Sequence, residues 1–231
     1  FKLIAAALAR EKNLVSKNWT VNCSGVYHFG DRDFHCWHTT GHGQVNLDKA
    51  IYQSCNIYFY HLVQQLSLSD WKKMAEKFGF GSITGVDLYG EKVGNIPDKS
   101  YLNKKYGRYG WAAGNLLTFI IGQGDVLVTP IQIVQMMNII ATQGNTRSPH
   151  LYSNNSSEVI TLPLKSSTWD YLQNATWKVI NHENGTGKAA RVDGATVHGK
   201  TGTAQNPHGE DHSWFAGYLV KNRSPVLSLV V

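Results

Sequence analysis

Hydrophobic and polar positions follow a helical spacing in five separate stretches of the chain. Residues 1–13 read as a helix, with Leu3, Ala6, Ala7 and Arg10 one turn apart and strong helix formers throughout. Asn46 is placed to cap a second helix running through Ala50 and Ile51 to Leu66, and Ser69-Asp70 to cap a third ending at Phe78. Thr129-Pro130 sets a proline in the first turn of a fourth, through Ile133, Val134, Met137 and Ile140 to a stop at Gly144. A fifth is expected over residues 167–182, closed by the Gly185-Thr186-Gly187 turn. Strand-like runs come last, at residues 197–203, 214–220 and 225–231. Two stretches carry no clear period. Residues 19–43 mix aromatic, His and Gly residues and read as an irregular excursion with short strands. Residues 79–110 are rich in Gly, Tyr and Lys, a long loop of the kind that is functional when it is real. Helices first and strands last predict an α+β fold in mixed layers, with helices packed on a mainly antiparallel sheet and no alternating βαβ order.

The 231 residues, 42% of them hydrophobic, are enough to bury one large core. A formal charge of +6 suits an anionic partner, whether nucleic acid, lipid or polymer. No nucleic-acid motif accompanies it, so no nucleic-acid partner is expected. No run approaches the roughly eighteen apolar residues of a membrane span, and no charged n-region with a cleavage site opens the chain. The chain starts inside a helical pattern and stops inside a strand-like one, which predicts a fragment of one domain cut at both ends.

Two short runs carry candidate chemistry. Lys200-Thr201-Gly202-Thr203 offers a cation, two hydroxyls and a backbone open to close approach, on a strand whose edge can take an extended peptide. An ordinary strand with a surface lysine would read the same. In Ser54-Cys55-Asn56, the residues on either side of the cysteine project to one side of a turn, so that a hydroxyl and an amide face one site. Together with Lys2, these runs stand in the order of the three motifs of penicillin-binding proteins and serine β-lactamases.

The surrounding sequence resembles the transpeptidase domain of class B penicillin-binding proteins, and in particular the elongation class. The resemblance is carried by Gly41 to Leu47 leading into Ser54 to Tyr60, by Phe78-Gly79-Phe80-Gly81, and by Thr84-Gly85-Val86-Asp87-Leu88. Gly122-Gln123-Gly124 followed by Val128 to Gln132, and His212 to Tyr218, extend it over nearly the whole chain. It implies a penicillin-binding, serine β-lactamase-like fold and a D,D-transpeptidase acting through a serine acyl-enzyme. The nucleophilic serine would lie two positions before Phe1, outside this sequence. Lys2 would be its base, Ser54 a proton relay, Asn56 a hold on the substrate amide and Lys200 a source of positive charge. Thr201, Gly202 and Thr203 would bind substrate, the two threonines through the terminal carboxylate, with the Thr203 backbone N–H in the oxyanion hole. Peptidoglycan stem peptides, β-lactam antibiotics and membrane proteins of an elongation complex, a glycosyltransferase among them, are the implied partners. The implied location is the periplasmic side of the bacterial inner membrane, with an anchor and a non-catalytic pedestal outside this chain. A penicillin-sensing receptor and a divergent β-lactamase are the alternatives. No class A type glutamate motif stands in residues 79–110 to supply a deacylation base.

The three cysteines all fall between residues 23 and 55, among His28, His35, His38 and His42. Cys23, Cys36, His42 and Cys55 would make a tetrahedral structural zinc site of three thiolates and one imidazole. His42 is preferred because Gly41 and Gly43 let the backbone bend toward a metal, with His38 the alternative. One disulfide with a spare thiol, or three small buried hydrophobes, would explain the cysteines without metal. Cys55, between Ser54 and Asn56, should point away from the substrate, so that a metal there braces the motif from behind. His208 and His212 are assigned to surface or packing. Trp37, Trp111 and Trp214 are candidates for the cleft wall or the core.

Overall fold

The computed structural model describes residues 1–112, 114–152, 157–206 and 208–231. Among these the chain runs α1 (Lys2–Glu11), β1 (Val21–Cys23), β2 (Val26–Phe29), β3 (Arg32–His35), β4 (Gly43–Val45), α2 (Leu47–Tyr52) and α3 (Asn56–Val63). It continues through α4 (Leu68–Lys77), α5 (Lys99–Tyr106), α6 (Gly114–Ile120), α7 (Pro130–Ala141), β5 (Asn145–Arg147), β6 (Val159–Thr161) and α8 (Ser166–Asn181). Three antiparallel strands close it: β7 (Thr196–Ala204), β8 (His212–Lys221) and β9 (Ser224–Val230).

Helix α1 is buried on every side, not along one stripe: all residues from Leu3 to Ala9 are buried. Its four buried alanines, with helices α2, α4 and α8 packed around it, let it lie deep in the core. Burial of Ile4 and Leu8 stabilises it by about 1.5–3 kcal/mol each. The Phe1 ring packs on Trp71 and Phe80, at centroid distances of 5.7 and 5.0 Å, which pins the start of the helix. The sheet runs β7–β8–β9, so β7 is an edge strand. Helix α8 lies along β7, while α7 covers β8 and β9. Asn222 and Arg223 both take positive φ in the tight β8–β9 turn, as a two-residue hairpin requires.

Three sequence-based boundaries move. The helix expected from Asn46 to Leu66 is broken in two, because Ser54 adopts φ +55°, which no helix accommodates. Asn46 still caps its first half, accepting from Lys49 N at 2.9 Å. The third helix is capped by Ser67, whose Oγ accepts from Asp70 N at 3.0 Å, and not by Ser69-Asp70. Residues 79–110 contain a helix, α5, capped by Asp98. The rest of that segment is held by the wholly buried Gln132, whose Nε2 donates to the carbonyls of Ser82 at 2.7 Å and Val93 at 3.0 Å. The excursion at residues 19–43 contributes to two separate two-stranded ladders, β1 with β4 and β2 with β3.

Candidate active site and cysteine cluster

Three elements deliver polar groups to one hydroxyl. Lys2 is the first residue of α1, Ser54 sits in the break between α2 and α3, and Lys200 lies mid-way along β7. Lys2 Nζ donates to Ser54 Oγ at 3.1 Å and Lys200 Nζ donates to the same oxygen at 3.0 Å. A hydroxyl has two lone pairs and one proton. With both lone pairs taken by the amines, the Ser54 proton is left to be donated elsewhere. Lys2 Nζ also donates to Ser54 O and to Asn56 Oδ1, both at 2.6 Å. The positive φ of Ser54 turns its carbonyl toward Lys2, and the strain sits where the chemistry would be.

Both amines are driven toward the neutral form. Burial pushes Lys2 down to about 8, although the nearby Cys36 and Cys55 sulfurs pull it the other way. Burial, and after it the charge on Lys2, holds Lys200 well below the ordinary lysine range. Further along β7, the Thr201 hydroxyl meets that of Thr186 at 2.8 Å. Thr186 N in turn donates to Tyr52 O at 3.1 Å, tying the Gly185-Thr186-Gly187 turn to the end of α2. Gly202 and Thr203 continue the exposed edge of β7.

Behind the turn lies the second cluster. Cys23 ends β1, Cys36 follows β3, His42 precedes β4, and Cys55 is the residue before α3. One ligand atom from each falls within 4.8 Å of every other. All three thiols are free and buried. His42 Nδ1 stands 3.5 Å from the sulfurs of both Cys23 and Cys36. A tetrahedral zinc with bonds of about 2.3 Å to sulfur and about 2.0 Å to nitrogen sets that separation at roughly 3.5 Å, so the residues fit the ion. His38 is turned to Thr40 Oγ1, at 3.2 Å, and stays outside the cluster. Gly41 is required here: at φ +81°, any Cβ would meet the Cys23 carbonyl oxygen at 2.0 Å. The hydrogen bond from Cys55 draws the Cys36 thiol far below its ordinary value, and contacts from His42 and the backbone N–H groups of Asn56 and His38 act in the same direction. Asn56 N, at the start of α3, donates to the Cys36 sulfur at 3.4 Å.

The whole chain, residues 1–231, matches the penicillin binding protein transpeptidase domain. The chain belongs to this family. It is 30% identical over 259 residues to the peptidoglycan D,D-transpeptidase MrdA of Haemophilus influenzae, a match that takes in 100% of this chain and 40% of that protein. The chain therefore spans well under half the length of this relative. Penicillin-binding protein PBP2 of Helicobacter pylori superposes with a TM-score of 0.91 at 31% identity, over 100% of this chain and 43% of that one. In its complex with MreC the same protein superposes at 0.87 and 33%, over 98% and 43%. A chain from a peptidoglycan synthase complex that coordinates polymerization and crosslinking gives 0.86 at 30% identity, over 99% and 40%. Within the penicillin-binding proteins the likeness is to the elongation class, and the mixed helix and antiparallel-sheet architecture is the transpeptidase fold.

For this penicillin-binding domain, the residues singled out by motif fall into two groups back to back. Lys2, Ser54, Asn56 and Lys200 meet in front, with Thr201, Gly202 and Thr203 beside them, and Cys23, Cys36, His42 and Cys55 meet behind. Trp37 is more than half exposed and donates from Nε1 to Gln53 O at 2.9 Å, at the mouth of a cavity lined also by Lys49, Thr186 and Lys188. Trp111 is only partly buried, with its Nε1 on Asn103 Oδ1 at 2.7 Å. Thr186 and Gln123 were not recognised as site residues from sequence. Their signal was present, each a single polar residue between two glycines.

Proposed function

We propose that the full-length protein is an elongation-class peptidoglycan D,D-transpeptidase whose nucleophile is a serine two positions before Phe1. The observation that carries this reading is the meeting of Lys2 and Lys200 on the single Ser54 hydroxyl, at 3.1 and 3.0 Å. One helical turn upstream of Lys2, a serine hydroxyl comes within reach of an amine held near neutrality. Neutral Lys2 takes the serine proton as Oγ attacks the carbonyl between the two terminal D-alanines of a stem peptide. The C–N bond breaks, Ser54 gives its free proton to the departing D-alanine amine and takes in its place the proton that Lys2 removed, across their 3.1 Å contact, and an ester to the serine remains. An amine of a neighbouring stem peptide attacks that ester and forms the cross-link, losing one proton to the Ser54–Lys2 pair, which returns it to the serine oxygen as the C–O bond breaks. Lys200 supplies positive charge, Thr201 and Thr203 hold the terminal carboxylate, Gly202 permits close approach, and the Thr203 N–H serves the oxyanion. Asn56 has one amide N–H on His35 O, at 3.0 Å, and the other left for substrate.

β-Lactams enter as mimics of the same peptide and stay as slow esters. Glu91, the one glutamate of residues 79–110, supports slow deacylation over β-lactamase turnover. Its carboxylate oxygens are bound by Thr84 N and Oγ1, both at 2.7 Å, and by Gly85 N at 3.2 Å. A zinc ion held by Cys23, Cys36, His42 and Cys55 is structural in this reading, fixing the turn that carries Ser54 and Asn56. The MreC complex and the synthase complex of the relatives support, for the full-length protein, a place in a membrane-bound assembly with a glycan polymerase, on the periplasmic side of the inner membrane.

Intact-protein mass spectrometry of the full-length protein after incubation with a β-lactam tests the reading. A stable adduct mapping to the upstream serine is expected; intact protein beside intact antibiotic would withdraw the catalytic roles.

A further inference from the structure

The free edge of β7 carries a contact that the proposed chemistry does not use. Gln123 Nε2 donates to Thr203 O at 2.6 Å, and Gln205 N donates to Gln123 Oε1 at 3.3 Å. A carboxamide has the donor and acceptor of one peptide unit. Here it spans the Thr203 carbonyl, near the end of the edge strand, and the N–H of Gln205 just past that end, as the start of an added strand would. In an extended strand the N–H and C=O of one residue point to the same side, so the Thr203 carbonyl filled by Gln123 lies beside the N–H assigned to the oxyanion.

The backbone under Gln123 is fixed. Gly122 N donates to Phe119 O at 2.9 Å and Gln123 N to Thr118 O at 3.1 Å, at the end of α6. Gly122 at φ +84° and Gly124 at φ +70° complete the turn. What is free to leave β7 is therefore the side chain, by rotation about its own bonds, with no loop movement.

We propose that Gln123 is a specificity-determining gate on the β7 edge: its amide occupies the place of a ligand backbone amide, and only ligands carrying such an N–H displace it. This rests on the transpeptidase reading and adds a selection among its ligands. Stem peptides, and penicillins or cephalosporins with an acylamino side chain, present an N–H that replaces Gln123 Nε2 on Thr203 O. A carbapenem with a hydroxyethyl group at that position presents none and binds with the gate in place.

The test is acylation kinetics of the full-length protein, with the binding constant and the acylation rate constant resolved separately, for an acylamino penicillin and for a carbapenem. Gln123→Ala should tighten penicillin binding about 3- to 10-fold, the value of one net hydrogen bond no longer displaced, and leave the carbapenem within about 2-fold. Gln123→Glu keeps the size, loses the donor and should act in the same direction. An equal loss with both ligands in both variants would make Gln123 a brace for β7 and overturn the gate, as would no change with either. Acylation of the unaltered protein by neither ligand would sink the transpeptidase reading, and the gate with it.

Discussion

The turn at Ser54-Cys55-Asn56 has two faces, and they are built on different principles. In front, amines and a hydroxyl come from α1, from the α2–α3 break and from β7, all anchored in regular elements or the core. Behind, three thiols and an imidazole come from short strands and loops that have little core of their own. In the proposed chemistry the front would set proton positions and so need rigid scaffolding, which a buried helix and a sheet edge supply. The back needs only that four soft ligands converge, and a bound ion would hold them without long elements. Asn56 joins the two, with Oδ1 on Lys2, Nδ2 on His35 O and its backbone N–H on the Cys36 sulfur. The geometry of the front is therefore exposed to failure of the back, whereas the reverse dependence is weak.

Lys2→Ala breaks that comparison most severely. Removing the proposed base should lower the β-lactam acylation rate of the full-length protein by about 100- to 10,000-fold. Zinc content, read by elemental analysis, should stay the same. Loss of both together would mean that the faces are not separable.

The second largest effect needs no mutation. As the proposed base Lys2 would act only when neutral, and burial lowers its amine to about 8 from an ordinary 10.5. Half the amine is neutral at pH 8 and the neutral fraction approaches a tenfold fall per unit below it, so acylation should drop about 50-fold from pH 8 to pH 6 and rise only about twofold more above 8. Stability follows the same group. Between 8 and 10.5 the unfolded chain binds more protons than the folded one, so the Lys2 contribution to stability is lowest below 8 and rises with pH through that window. An acylation profile flat from pH 6 to 9 would remove Lys2 as the base.

Cys55→Ser attacks the joint itself. Zinc should be lost from the purified, unchelated protein, with a lowered melting temperature. Acylation should fall about tenfold, the equivalent of 1.4 kcal/mol, as Asn56 loses its support. Metal loss with unchanged acylation would show that the back does not brace the front, and absence of zinc from the unaltered protein would dismiss the metal.

The front was legible because its residues belong to motifs set in periodic stretches. The buried helix at residues 1–13, the proline-started α7 and the three final strands all appear in the hydrophobic pattern, with ends moved by one or two residues. What escaped had no such pattern. Helix α5 buries one residue, Leu102, and so shows no apolar stripe. The break at Ser54 interrupts a run of good helical spacing for the sake of a contact to Lys2, far away in sequence. The back was legible only as composition, cysteines crowded among histidines, and the choice of His42 over His38 follows from the direction of each ring. Gln123 and Thr186 stand out locally only as polar residues between two glycines, and their contacts to β7 lie far away in sequence.

The smallest effect provides the control for both faces. Thr129 caps α7 in a reciprocal box: its Oγ accepts from Gln132 N at 3.4 Å, and Gln132 Oε1 accepts from Thr129 N at 2.9 Å. The same Gln132 side chain holds the carbonyls of Ser82 and Val93, residues that belong to neither the lysine nor the cysteine group. Thr129→Ala removes one arm of the box and should cost about 1 kcal/mol, lowering the melting temperature by roughly 2–4 °C. Zinc content and the acylation rate at 25 °C should not change. If acylation fell with this substitution as it does with Cys55→Ser, the front would be sensitive to any loss of stability, and the special dependence on the cysteine cluster would disappear.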